Sequence, residues 1–182
     1  MKATGIVRRI DDLGRIVVPK EIRRTLRIRE GDPLEIFTNR EGEIVLKKYS
    51  PVGELGEFAA CYAQSLAQAV EALVCITDRD YVIAAAGSGR KEVEGEHLSS
   101  EVEALIEKRG TFAVADADTS LPIINKSWKS DYKGVVVSSI ICNGDCQGSV
   151  ILLEKTGLHE KLETLKILAM SAATFLGKNM EQ

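Results

Sequence analysis

The chain has 182 residues, a formal net charge of -3 and 45% apolar residues. That apolar content is enough for a packed core and excludes a disordered chain, no apolar run approaches the roughly 18 residues of a membrane span, and the N-terminus has no apolar signal core. The sequence therefore predicts a cytoplasmic protein with no membrane partner, whose four cysteines are reduced thiols rather than a disulfide framework.

Residues 5–10 read as a short strand, Asp11, Asp12, Leu13 and Gly14 as a turn, and residues 15–18 as a second strand rich in β-branched side chains. Pro19 fixes the entry to a helix over 20–27. Residues 34–37 and 43–46 flank a turn at 39–42 and predict a hairpin. Residues 50–53 contain Ser, Pro and Gly and read as a linker into a long helix. Beyond it come strands over 74–78 and 81–86, a helix over 98–108 and an irregular segment over 116–133. A hairpin over 135–141 and 148–153 and a C-terminal helix complete the chain. The predicted organisation is a domain over 1–50, a linker over 51–55 and a second domain over 56–182.

Charge divides along the same line. Residues 1–50 hold twelve Lys and Arg against eight Asp and Glu, and the remainder holds twelve against nineteen. Two halves of opposite sign predict two different partners.

A module of about 50 residues must offset roughly 1.5 kcal/mol of ordering entropy per residue, on the order of 75 kcal/mol in all, which its own burial barely matches. Without a metal or a disulfide, association is the remaining route, so the first domain is expected to be an obligate dimer. Its core would comprise Ile6, Ile10, Ile16, Val18, Ile22, Leu26, Leu34, Ile36, Ile44 and Leu46. On the helix, Lys20, Arg23, Arg24 and Arg27 follow at i, i+3, i+4 and i+7 and fall on one face. Arg8, Arg9 and Arg15 add to the field, and residues 8–29 hold eight basic side chains against three acidic ones. Arginine's planar fork suits phosphate and guanine, so double-stranded DNA is the predicted partner.

The run from Thr4-Gly5-Ile6-Val7-Arg8-Arg9-Ile10 through the G-R-I-V-V-P-K-E-I-R-R-T-L string at 14–26 closely resembles the AbrB-type transition-state regulators. The resemblance extends to Tyr49 and covers about a quarter of the chain. It implies an intertwined dimeric barrel of swapped hairpins that binds DNA, with loose sequence preference, through arginines matching Arg8, Arg15, Arg23 and Arg24. Arg9, Lys20 and Arg27 join that set on charge geometry, Arg27 standing where family members often carry Gly.

The element order of the second half predicts an α+β fold, an antiparallel sheet with flanking helices, and resembles a GAF domain. A GAF domain holds a small ligand under a covering loop, which here implicates Ser120, Asn125, Ser127 and Trp128. No other cofactor is expected, and no metal. Two helices carry apolar residues spaced 4, 3, 4, 3, 4, a pattern that can mark a helical bundle between subunits. Leu55, Tyr62, Leu66, Leu158, Leu162, Leu165, Ala169, Ala172 and Leu176 are therefore expected at an oligomer interface, with a tetramer as the closed assembly.

The whole chain resembles AbrB-type regulators of sporulation-stage transcription that carry a GAF domain, activators or repressors working at the nucleoid of a spore-forming cell, and not enzymes. Two other readings remain. Cys142 and Cys146 flank the turn at 143–145 and are expected to face each other, which would suit a GAF-fold thiol reductase. Swapped-hairpin modules also occur in antitoxins, but the C-terminal half is too apolar and periodic for a disordered toxin-wrapping tail.

Overall fold

The computed structural model describes residues 5–115, 121–125, 128, 132–155 and 161–181. The chain divides into two compact units, Met1–Tyr49 and Ser50–Gln182.

In the first unit Pro19 sits at the N-cap of α1 (Lys20–Thr25). β1 (Leu34–Thr38) pairs antiparallel with β2 (Ile44–Lys48), in register from Leu34 opposite Lys48 to Thr38 opposite Ile44. Asn39 builds the turn. Its side-chain oxygen accepts from the amides of Glu41 and Glu43, and its Nδ2 donates to the Glu43 carboxylate at 2.6 Å. Asp32, with a side chain only 1% exposed, pairs with Lys48 Nζ at 3.0 Å and accepts from the Arg29 amide at 2.8 Å. These bonds tie the hairpin to the turn that follows α1.

The strands expected at 5–10 and 15–18 are absent from the single chain. The two segments meet only at their turn, where the Asp11 amide donates to the Arg15 carbonyl and the Gly14 amide to the Asp11 carbonyl, each at 3.0 Å. A strand needs a ladder partner, and nothing in the same chain supplies one. The expected core shares that condition: Ile6, Ile10, Ile16, Leu26, Ile36, Ile44 and Leu46 are 42–67% exposed, and Val18, Ile22 and Leu34 are half-buried.

The second unit is built on a five-stranded antiparallel sheet ordered β4-β3-β7-β6-β5. The strands are β3 (Leu73–Thr77), β4 (Val82–Ala86), β5 (Thr111–Ala115), β6 (Gly134–Cys142) and β7 (Asp145–Glu154). Alternate residues serve opposite faces, as a strand requires. Val74, Ile76, Val136, Ile140, Val150 and Leu152 face α3 (Gly56–Val70) and α6 (Leu162–Asn179). Leu73, Cys75, Val135, Val137, Ile151 and Leu153 face α4 (Arg90–Val93), α5 (Ser100–Glu107) and the side chains of Ile123, Ile124 and Tyr132. Burial on both sides explains why these strands read as continuous apolar runs rather than alternating ones.

Three sequence expectations change here. Residues 51–55 are no linker. Pro51–Glu54 form the helical turn α2, capped by Ser50 Oγ, which accepts from the Gly53 amide at 3.1 Å and donates to Asp78 at 3.0 Å; Val52 is fully buried. β5, not anticipated, is a short alanine-containing edge strand that pairs only with β6.

The helix stripes form the third change. α3 buries Ala59, Ala63 and Ala67, whose small side chains let the helix lie close on the sheet, and Leu55, Tyr62 and Leu66 are half-buried beside them. On α6, Leu165, Ala169, Ala172 and Leu176 are at most 2% exposed. Gly177 seats this helix, since a Cβ there would lie 2.1 Å from the Ile141 carbonyl oxygen. Those four residues pack on their own sheet and are unavailable as an oligomer surface. Leu162 is half-buried at the margin of this core, and Leu158 lies outside the described residues.

Candidate nucleic-acid interface

The cationic residues of the first unit come from three local structures. Arg8 and Arg9 stand exposed on the 5–10 segment, Arg15 on the turn that follows, and Lys20 and Arg24 on α1, with Arg23 half-buried beside them. On α1 the like charges of Lys20, Arg23 and Arg24 lie three and four residues apart and repel. Among the described residues no carboxylate pairs with Arg8, Arg9, Lys20, Arg23 or Arg24, although Glu21 lies in the same helix. The cluster thus keeps its charge for an external anion.

Arg15 differs. Its Nε donates to Asp11 Oδ2 at 2.8 Å while the side chain stays 69% exposed. The other carboxylate oxygen accepts from the amides of Leu13 and Arg15, at 3.0 and 2.7 Å. These bonds, led by the Arg15 amide and then its guanidinium, hold the Asp11 carboxyl below the usual carboxylate range. The pair persists above that lowered value and is lost only as pH falls through it. Sequence reasoning gave Asp11 a turn role and missed this bond, although Asp followed four residues later by Arg across a glycine turn is the signal that could have revealed it.

Arg27 also departs from expectation. α1 ends at Thr25 and Leu26 caps it, so the i+7 step of the stripe falls beyond the helix. Arg27 takes φ 52°, the left-handed conformation that ends many helices and favours glycine. It is half-buried, and its carbonyl accepts from Lys48 Nζ at 3.1 Å. Glycine at this point is therefore the unstrained choice, and this chain carries its arginine against a backbone preference.

In the second unit the expected ligand residues do not converge. Asn125 is exposed, and its amide donates to the His97 carbonyl at 3.0 Å. Trp128 Nε1 donates to Glu92 Oε2 at 2.6 Å, and its ring lies 5.5 Å from that of Tyr132. Ser120 and Ser127 lie outside the described residues. Beneath the covering segment, Ile123, Ile124 and Tyr132 fill the sheet face themselves. A cavity of about 420 Å³ lies instead beyond the end of the sheet, against Leu73, Ser88, Tyr132, Leu153, Glu154 and Lys155; neither Asn125 nor Trp128 lines it.

Cys142 and Cys146 do not face each other. Asn143 and Gly144, with φ 49° and 82°, make a two-residue turn that sets Cys142 opposite Asp145 and Cys146 opposite Ile141. The two thiols therefore point to opposite faces of the hairpin. Cys146 Sγ donates to the Ile106 carbonyl at 3.4 Å, and Cys142 Sγ accepts from Asn143 at 3.7 Å. Burial pushes both thiols up, helped at Cys142 by Glu181 and Asp145 and opposed at Cys146 by the charges of Arg79 and Arg109. A reductase would need a depressed thiolate. His97 packs against Tyr81 in a tilted pair with ring centroids 4.0 Å apart, and no group of three metal-ligating side chains occurs among the described residues. Nor is any described helix long and apolar enough to cross a membrane.

Comparison with known proteins divides along the same boundary. Residues 54–181 match the family described as stage V sporulation protein T C-terminal, transcription factor. Residues 7–54 match the family described as antidote-toxin recognition MazE, bacterial antitoxin. Stage V sporulation protein T of Bacillus subtilis is 47% identical over 182 residues, covering all of both chains. The transition state regulatory protein AbrB of the same organism is 61% identical over 51 residues, 28% of this chain and 52% of that protein. Among solved structures, the GAF domain of A. aeolicus nlh2 superposes with a TM-score of 0.55 at 11% identity, over 72% of this chain and 85% of that one. The free methionine-R-sulfoxide reductase of Thermoplasma acidophilum gives 0.53 at 14% identity, over 69% and 94%. At these identities the likeness gives the second unit its GAF fold and nothing about chemistry.

Two outcomes are expected. Arg27→Gly should raise stability by about 1 kcal/mol by removing a left-handed non-glycine residue, read by denaturant titration at fixed protein concentration; an unchanged or lower midpoint contradicts the strain. In the folded chain, a thiol reagent should modify exposed Cys61 readily and leave buried Cys75 unreacted until unfolding, as mass spectrometry of the labelled peptides would report.

Proposed function

The chain belongs to the stage V sporulation protein T family of transcription factors, and from that premise we propose that it regulates transcription by binding double-stranded DNA through Arg8, Arg9, Arg15, Lys20, Arg23 and Arg24 of a dimerised first unit. The observation that carries this reading is the coincidence, in 49 residues, of six cations, five of them without a carboxylate partner among the described residues, with apolar side chains that the single chain leaves uncovered. Full burial of one Val, Leu or Ile stabilises by about 1.5–3 kcal/mol, and a second copy offers the unpaired strands and matching apolar faces that would cover them. The intertwined barrel of swapped hairpins is that arrangement. It sets two copies of the cluster on one duplex and places the protein's work at the nucleoid, in a spore-forming cell by likeness to the Bacillus subtilis relative. Arg27, off the helix face and half-buried, contributes least.

The GAF-fold unit would tune assembly and take a small ligand. Its outer surface supports a second self-contact, different from the one expected from spacing. Phe58, Tyr62 and Phe175 cluster between α3 and α6 with ring centroids 5.4–6.3 Å apart, and Phe58 and Phe175 remain 40% and 45% exposed. Ile167 and Met170, 58% and 52% exposed, extend the apolar area on α6. A two-fold contact between such faces, added to the N-terminal dimer, makes a closed tetramer. The antitoxin description reaches only residue 54, and the half that would have to wrap a toxin is here a packed domain.

Arg23→Ala with Arg24→Ala should weaken DNA binding and flatten its salt dependence from a log-log slope of about -7 for eight phosphate contacts to about -4 for four. Unchanged affinity in the folded double variant would remove these residues from the site. Phe175→Ser should convert a tetramer to a dimer in sedimentation equilibrium while leaving the DNA affinity of each dimer in place. A parent that is already dimeric rules this contact out.

A further inference from the structure

Asp11 is an anomaly on a surface read as meeting polyanionic DNA. A carboxylate there repels phosphate, and if turn formation were its only task an asparagine would serve as well. The difference between the two residues lies in the second oxygen. Oδ1 accepts from the Leu13 and Arg15 amides and so shapes the turn; Oδ2 makes the 2.8 Å contact with Arg15 Nε.

Exposed ion pairs between flexible side chains contribute little because both partners must be immobilised. Here the carboxylate is already fixed by two backbone amides, and the arginine leaves the same turn. Only the guanidinium has freedom left to lose, and its planar group bonded at Nε is confined to one edge-on orientation. With Nε engaged, the end of the guanidinium that carries both terminal amino groups is left to other acceptors. That is the end-on fork suited to the O6 and N7 of guanine.

We propose that Asp11 is a positioning residue for sequence discrimination: it grips Arg15 by Nε so that the terminal amino groups alone are presented to base edges, at the expense of overall attraction to the backbone. This rests on the DNA-binding reading above. A guanidinium released from Asp11 would still find phosphate, which surrounds it on any duplex, but would lose its register with a base.

The test uses full-length parent, Asp11→Asn, Arg15→Ala and the double variant. Each is titrated with two duplexes, one enriched by the parent chain from a random-sequence pool and one of the same composition scrambled. Asparagine keeps the turn-forming oxygen and removes the grip. Asp11→Asn should bind the scrambled duplex roughly threefold more tightly at low salt, since two anionic groups leave the dimer surface. The ratio of enriched to scrambled affinity should fall at least roughly tenfold, since two oriented forks, one in each protomer, lose their register. In the Arg15→Ala background the same substitution should leave that ratio unchanged. In the DNA-free protein the Arg15 Nε–H resonance should be shifted and slowly exchanging in the parent and ordinary in Asp11→Asn. The inference is overturned if Asp11→Asn keeps the parent's ratio, if the ratio falls equally without Arg15, or if the Nε resonance does not respond. A parent that binds every duplex alike leaves the regulator reading standing and overturns this inference alone; a parent that binds no duplex removes both.

Discussion

The first 49 residues contain more apolar side chain than they can cover. Two segments, 5–10 and 15–18, have strand-forming sequences and no strand to pair with, and seven of the ten side chains expected in the core are exposed. Every other property of this unit follows from that deficit. The helix is six residues long and buries none of its side chains, so it cannot hold itself against water. The hairpin is pinned by polar devices, Asn39 in its turn and Asp32 with Lys48 at its base, rather than by a core. Such a unit needs further apolar cover, which the proposed dimer would supply.

The second unit solves the same problem internally. Its sheet is covered on both faces, by α3 and α6 on one side and by α4, α5, Ile123, Ile124 and Tyr132 on the other. Ile123 and Ile124 of the covering residues pack onto the sheet face, and the cavity beside Tyr132 and Glu154 lies past the strand ends. A GAF fold therefore does not by itself imply a ligand in the customary place.

The elements that were legible in the sequence are those with strong local chemistry. Pro19 ahead of α1, the Asn39 turn, the Asn143-Gly144 turn and the apolar runs of β3, β6 and β7 all occur where residue type predicts them. The misreadings share a cause. A 4-3-4 spacing of apolar residues marks a buried helix face but not what it is buried against. On α6 that face meets its own sheet, and on α3 the innermost residues are Ala59, on the expected stripe, and Ala63 and Ala67, one position off it. Pro and Gly at 51 and 53 suggested a linker because composition cannot reveal that Ser50 caps a turn onto Asp78. Likewise, two cysteines four apart invite pairing until the length of the turn is known. In the candidate site the cations were legible from residue type but their partners were not; the grip of Asp11 on Arg15 depends on how the glycine turn folds back.

The strand order of the second unit has a bearing on how it is made. β3 lies between β4, which follows it at once, and β7, whose Val150 sits opposite Ile76. At translation rates of roughly 5–20 residues per second, the β3 edge waits about 4–15 s on the ribosome for its neighbour to be synthesised. Throughout that interval an apolar strand with open backbone groups is exposed to the crowded cytosol, the condition under which edge-to-edge aggregation begins. Nascent-chain protection by chaperones should therefore matter most between completion of β4 and emergence of the C-terminal hairpin.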